Sequence, residues 1–230
     1  MIRFILMDIE GTTTSIHFVH QTLFPYATQH LPSYIQANKS KPEIQAELEK
    51  VKQTVQEEEG RSISGAALVQ QLLQWIQEDR KHPALKTIQG YLWRDGYEQG
   101  QYRGHIYDDV VPAWDSWKEK GLALGIYSSG SVAAQKLLFG YSDRGDLNHY
   151  LSAYFDTGVG HKREVNSYRQ IAAQLNLSED SILFLSDVKE ELDAAKEAGY
   201  QVVWLERPGT KTSSAHPVVR SFADIDPNQW

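Results

Sequence analysis

The chain predicts an α/β fold, a Rossmann-like parallel sheet with a helical cap inserted after its first strand. Three observations carry this. Phe4-Ile5-Leu6-Met7 is an unbroken apolar run that stops abruptly at Asp8 and Glu10, as a strand buried on both faces does. From Asp108 onward, short apolar runs alternate with helical patterns, which implies a parallel sheet with right-handed crossovers. Between these parts, residues 15 to 106 hold helical patterns and no convincing strand.

The totals narrow the class. At 230 residues there is room for one large domain, or for a core domain carrying a smaller one. A net charge of −7 argues against nonspecific binding to nucleic acid or to an anionic membrane. An anionic ligand must then be held by local donors or a metal. The absence of cysteine excludes disulfides, thiolate catalysis and Cys-ligated zinc. The apolar run between Arg3 and Asp8 is too short for a signal-peptide core, and no stretch approaches membrane-spanning length. A soluble, cytoplasmic monomer is expected, with a small molecule as its partner and neither nucleic acid nor membrane.

Taken in order, Phe4 to Met7 is the first strand. His17 to Ala37 is apolar and aromatic, and Pro25 and Pro32 predict broken or kinked helices there. In Pro42 to Glu59, Ile44, Leu48, Val51 and Val55 form one helical stripe, closed by Gly60. Ser62 or Ser64 is the expected cap of the next helix, with Val69, Leu72, Leu73 and Ile76 on its apolar face. Leu85 to Gln99 follows. Beyond Asp108 come a helix at Val110 to Lys120, a strand at Leu122 to Tyr127 and a helix at Val132 to Phe139. A short strand at Ala153 to Phe155, a helix at Glu164 to Leu175 and a strand at Ser181 to Leu185 continue the alternation. Glu190 to Ala198 is a helix and Gln201 to Leu205 the last clear strand, before a Pro-, Gly- and Ser-rich tail.

Asp8 and Ser128 both end strands yet lie about 120 positions apart, whereas a βαβ crossover closes in about 30 residues. The surplus is a helical module let into the loop after Asp8 and Glu10, and in that place it is expected to act as a lid. Residues 1–14 and 107–230 make the core, and 15–106 the cap.

In open α/β sheets, ligands sit past the carboxyl ends of the strands. Asp8 and Glu10, Ser128-Ser129-Gly130, Lys162 and Asp187 all fall at strand ends or in the loops after them. Each has an ordinary alternative as a cap or a solvated surface group. Together they describe an anion site with a cation in it. Two nearby carboxylates repel unless a cation or proton intervenes, so the first reading is a metal-assisted pair with Asp8 as nucleophile. The Ser128 hydroxyl and the amides of Ser129 and Gly130 are donors of the kind that cradle phosphate, and Lys162 adds positive charge. Asp8 and Asp187 supply hard oxygen ligands, which select magnesium over zinc.

That order of residues resembles the haloacid dehalogenase superfamily of aspartate-nucleophile phosphatases. The likeness runs through Asp8-Ile9-Glu10-Gly11-Thr12-Thr13, a hydroxyl motif, a lysine, and Ser186-Asp187 with Glu191 four residues on. Most phosphatases of that superfamily carry a second aspartate where this chain has Glu10. Glu10 with Gly11-Thr12-Thr13, and the run from Ile126 to Gly140, resemble the enolase-phosphatase family of methionine salvage. Phe155-Asp156-Thr157, Gly160-His161-Lys162 and Leu183 to Val188 extend that likeness.

The resemblance implies a substrate, 2,3-diketo-5-methylthiopentyl-1-phosphate, a phosphorylated diketone that is enolised and then dephosphorylated. It implies Asp8, Glu10 and Lys162 as catalytic residues, with Ser128, Ser129 and Lys162 on the substrate's phosphate. Mg²⁺ would be held by Asp8, Asp187 and the backbone carbonyl of Glu10, with Glu191 orienting a metal-bound water or Lys162. For the enolisation base, Glu10 and a group of the cap stand as alternatives; Trp93, Arg94 and Tyr97 are cap candidates for substrate contact, Trp93 with helix packing as its ordinary reading. His17 and His20 read as helix-start residues. A phosphatase of the same superfamily on another ester is the alternative function. A signalling receiver domain, which pairs similar groups around Mg²⁺, has no use for so long an insertion.

Overall fold

A computed structural model describes residues 1–208 and 216–230; the Gly- and Ser-containing part of the tail between them lies outside the described residues. The chain forms two compact units, Met1–Ile16 with Arg103–Trp230, and His17–Tyr102. Strand β1 (Phe4–Met7) opens the first and is buried at every position.

The second unit is helical. The short α1 (Ile16–Phe18) and a π turn (Val19–Leu23) lead without a break into α2 (Phe24–Asn38). Pro25 falls where the π turn passes into α2, so the expected irregularity there is a π turn rather than a break. Pro32 does not break the helix as expected. Its ring faces solvent, while Ala27, Leu31 and Ile35 are buried, and packing of that stripe outweighs one lost hydrogen bond. In α3 (Pro42–Glu59) the buried residues are Ile44, Leu48, Val51 and Val55, the expected stripe. Helix α4 (Ala66–Gln77) is preceded by Gly65, so neither Ser62 nor Ser64 caps it. Its buried face is Leu68, Leu72, Trp75 and Ile76, with Val69 and Leu73 at the margin. Helix α5 (Pro83–Glu98) adds Leu85, Ile88 and Leu92 to one continuous apolar cluster. Trp93 packs here too, its Nε1–H donating to the Leu23 carbonyl at 3.0 Å.

In the first unit α6 (Val110–Glu119) precedes β2 (Ala123–Tyr127), α7 (Val132–Gly140) and β3 (Leu151–Phe155). Then come α8 (Val165–Leu175), β4 (Ile182–Ser186), α9 (Lys189–Ala198), β5 (Gln201–Leu205) and β6 (Val218–Val219), a short strand in the tail that local pattern did not mark. The sheet order is β3-β2-β1-β4-β5-β6, with every pairing parallel. The side chains of β1 alternate between two covered faces. Phe4 and Leu6 join a core with Tyr168 and Ile171 of α8 and Leu192 and Ala195 of α9. On the other face Trp114 of α6 donates its indole N–H to Met7 Sδ at 3.2 Å. Burial on both sides is why β1 reads as an apolar run rather than an alternating one. Among the described residues, no helix is long and apolar enough to cross a membrane.

The chain runs from β1 outward to β2 and β3, then returns to the other side of β1 for β4. The reversal lies between β1 and β4, and ligands bind in the crevice at such a switch point. Asp8 follows the last residue of β1, and Asp187 the last residue of β4.

Candidate active site

Past Met7 the backbone folds into a tight turn. The Asp8 amide still donates to the Leu185 carbonyl at 2.9 Å, which ties it to β4. Beyond it, the amides of Thr12, Thr13 and Thr14 converge on the Ile9 carbonyl, and the Thr13 hydroxyl donates to the carbonyls of Asp8 and Ile9. These threonines are buried, so their hydroxyls and amides must be satisfied within the fold. The turn that carries Asp8 and Glu10 is thus rigid.

Lys162, in the loop between β3 and α8, reaches Asp8. Its Nζ lies 2.5 Å from Asp8 Oδ1 and 2.7 Å from Glu191 Oε2. Lys162 and Asp8 are each 6% exposed and Glu191 8%. The backbone around Lys162 is held from below, where Tyr168 OH donates to the Lys162 carbonyl and Tyr127 OH to the Gly160 carbonyl. Burial alone would push the lysine pKa down, but the two carboxylates outweigh it and hold the ammonium well above its usual range. One ammonium facing two carboxylates leaves surplus negative charge. Glu191 bears part of it: burial, and then the charge of Asp8, push its carboxyl up against the pull of Lys162 and Ser186. Ser186 donates its hydroxyl to Glu191 Oε2 at 3.1 Å.

Asp187 meets the same turn from β4. Thr12 Oγ1 lies 3.5 Å from Asp187 Oδ1. Gly11 sits at φ +73°, and a Cβ there would fall 2.0 Å from Asp187 Oδ2. Only glycine lets the turn and this carboxylate come so close. Burial, and then the charge of Asp8, push the Asp187 carboxyl up to about 7. Glu10 is half-buried, and its charge adds to that rise. The set offers oxygen donors only.

Ser128 follows β2 and is buried, with its amide donating to the Phe155 carbonyl. Its hydroxyl accepts from the Gly130 amide at 3.1 Å, so the hydroxyl proton is left to donate elsewhere, while that amide is spent locally. The cap of α7 is Ser131, which accepts from the Ala134 amide at 3.3 Å. Ser129 is half-buried beside it.

Direct contact therefore joins Asp8, Lys162 and Glu191, while Asp187 abuts Gly11 and Thr12. Sequence reasoning named Glu191 only as a neighbour of the metal or of Lys162, and its ion pair with Lys162 is the second of those. It passed over Thr12 and Arg207, which contact each other through the Thr12 carbonyl. The available signal was the position of Arg207, just past β5 at the same sheet edge.

The chain is similar to known proteins over nearly its whole length. A family model described as haloacid dehalogenase-like hydrolase matches residues 2–199. A curated relative from Picosynechococcus sp., named Enolase-phosphatase E1, is 52% identical, with 98% of each chain covered. One of the same name from Erwinia tasmaniensis is 50% identical over 98% of this chain and 97% of its own. The crystal structure of the UTR4 protein of Saccharomyces cerevisiae superposes with a TM-score of 0.81 at 36% identity, covering 98% of this chain and all of that one. The chain belongs to the haloacid dehalogenase-like hydrolases, and within them to the enolase-phosphatase E1 family.

Proposed function

We propose that the chain is a Mg²⁺-dependent enolase-phosphatase of methionine salvage. It converts 2,3-diketo-5-methylthiopentyl-1-phosphate to 1,2-dihydroxy-3-keto-5-methylthiopentene and phosphate, as a cytoplasmic monomer. The observation that carries the phosphatase chemistry is the buried contact of Asp8 with Lys162 at the sheet's switch point. The relatives' name supports the enolase step.

In this reading the Asp8 carboxylate attacks phosphorus in line and forms an aspartyl-phosphate. Glu10 protonates the departing oxygen, then takes a proton from the water that hydrolyses the intermediate. Lys162 and the Ser128 hydroxyl, with the Ser129 amide, stabilise the phosphoryl oxygens, where positioning and charge dominate catalysis. Glu191 keeps Lys162 charged and in place.

The residues fit a hard divalent cation. Their ligating atoms are oxygens, and Asp187 is a partly buried carboxylate raised by burial and then by the charge of Asp8. Among the described residues no cluster of three or more His, Cys, Asp or Glu side chains is gathered for a metal. Asp8, Asp187 and the Glu10 carbonyl would hold the ion, leaving further positions to water and phosphate oxygens, the usual manner for Mg²⁺. When bound, the ion offsets the repulsion between Asp8 and the phosphate.

The test follows the diketo phosphate by NMR, with Mg²⁺ and then with EDTA. An enol that appears before free phosphate, and phosphate release that stops with EDTA, are expected. Turnover of other phosphate esters without turnover of this one would overturn the substrate assignment in favour of a general phosphatase.

A further inference from the structure

Arg207 lies just past β5 and is 4% exposed, an unusual setting for a guanidinium. Every face of it is engaged. Nε and Nη2 converge on the Thr12 carbonyl at 3.0 and 2.8 Å. Nη1 donates to Asp109 Oδ2 at 2.7 Å. That carboxylate oxygen also accepts from the Ser221 hydroxyl at 2.9 Å and the Phe222 amide at 2.8 Å. The guanidinium plane is flanked by the rings of Tyr107, 4.2 Å away, and Phe222, 5.0 Å away.

The point of attachment matters. Thr12 belongs to the turn between Asp8 and Thr14, and its hydroxyl lies against Asp187. The next carbonyl, of Thr13, accepts from the Tyr107 amide at 3.1 Å. Two successive carbonyls of the turn are therefore gripped from outside, by Arg207 and by the residue whose ring stacks on it. A buried ion pair is weak evidence for stability, since apolar residues of the same volume often serve as well. What the fork supplies is a fixed place for one carbonyl oxygen.

We propose that Arg207 is a positioning residue for catalysis. It clamps the turn that carries Asp8 and Glu10 and abuts Asp187, with Asp109 setting the guanidinium's angle. The inference rests on the role given to Asp8 above. Arg207 itself touches no reacting atom. A displacement of about 1 Å in such a turn costs on the order of 10²-fold in rate, and a lysine cannot replace a planar fork.

The experiment compares wild type, Arg207→Ala and Arg207→Lys on the diketo phosphate and on p-nitrophenyl phosphate, with thermal midpoints measured alongside. On both substrates kcat of Arg207→Ala is expected to fall about 10²-fold with KM within about threefold. Methylguanidinium, which fits the slot between the two rings, restores kcat of Arg207→Ala about tenfold, and leaves Arg207→Lys unrescued because its own side chain fills the slot. A lower midpoint with kcat unchanged on both substrates would overturn the clamp and leave Arg207 merely structural. Should Arg207→Ala fail to fold, Arg207→Lys decides by the same split between kcat and KM. If wild type hydrolyses p-nitrophenyl phosphate but not the diketone, the substrate assignment fails, while the effect of Arg207 on the simple ester still decides the clamp.

Discussion

The Asp8 carboxylate and the Lys162 ammonium lie 2.5 Å apart, both more than nine-tenths buried, although 154 positions separate them in the chain. Because Glu191 shares the same ammonium at 2.7 Å, neither acid owns the positive charge outright. That arrangement fixes the place of the Asp8 carboxylate, and it makes the consequences of removing either partner unequal.

Replacing Asp8 with asparagine is expected to lower phosphate release by at least about 10³-fold, since an amide is no nucleophile toward phosphorus. The fold should survive, because Lys162 keeps Glu191 as a one-to-one partner. Phosphate assay and far-UV circular dichroism on the same preparation check both halves. Turnover near the wild-type rate would remove Asp8 from the mechanism.

Removal of the lysine is the costlier change. Lys162→Met leaves Asp8 and Glu191 buried together with no cation, which is expected to destabilise the fold by about 3–5 kcal/mol at neutral pH. Urea unfolding measures it. Lys162→Met combined with Glu191→Gln should recover part of the loss, because one of the two stranded charges is gone.

At Gly11 the expectation is steric. Gly11→Ala places a methyl in the left-handed region and against Asp187, at 2.0 Å from Oδ2. The backbone cost is about 1–2 kcal/mol, and the displaced carboxylate should reduce kcat about 10²-fold. Activity and urea midpoints measured together separate the two. An alanine variant with wild-type kcat would show that Asp187 can move without loss.

Asp109 sets a pH dependence. Burial by itself would raise its carboxyl, but Arg207, the Phe222 amide and the Ser221 hydroxyl together hold it below the usual carboxylate range. A folded pKa below the unfolded value gives stability that is present above the unfolded value of about 4 and is lost as pH falls through the folded one. Thermal midpoints of wild type should therefore drop between about pH 5 and pH 3 more steeply than those of Asp109→Asn. At pH 6 Asp109→Asn should be the less stable of the two. Parallel slopes would mean that Asp109 titrates alike in both states.

Much of the fold, and the strand-end position of the candidate site's acids, was legible because those signals are local. A strand buried on both faces shows as a short apolar run, and the carboxylate that ends it marks the sheet edge where ligands bind. The stripe Ile44, Leu48, Val51 and Val55 shows as a period of 3.6. Pro32 misled for the same reason: a proline signals a helix break locally, and only packing of the opposite face reveals that the helix continues. Ser64 misled likewise, since a capping residue near a helix start is common and Gly65 took the position.

By itself, the sequence determined the α/β alternation, the long helical insertion after β1 and the identities of the acids, hydroxyls and lysine at strand ends. These follow from run lengths, periodicity and residue chemistry within a few turns of chain. Tertiary structure alone decided that Lys162 is shared with Glu191, that Asp187 lies against Gly11, and that Arg207 grips Thr12 from 195 positions away. Such pairings depend on strand order. Setting β4 against β1, and β5 on the far side of β4, places their terminal residues at one edge, and no local pattern records which strands become neighbours.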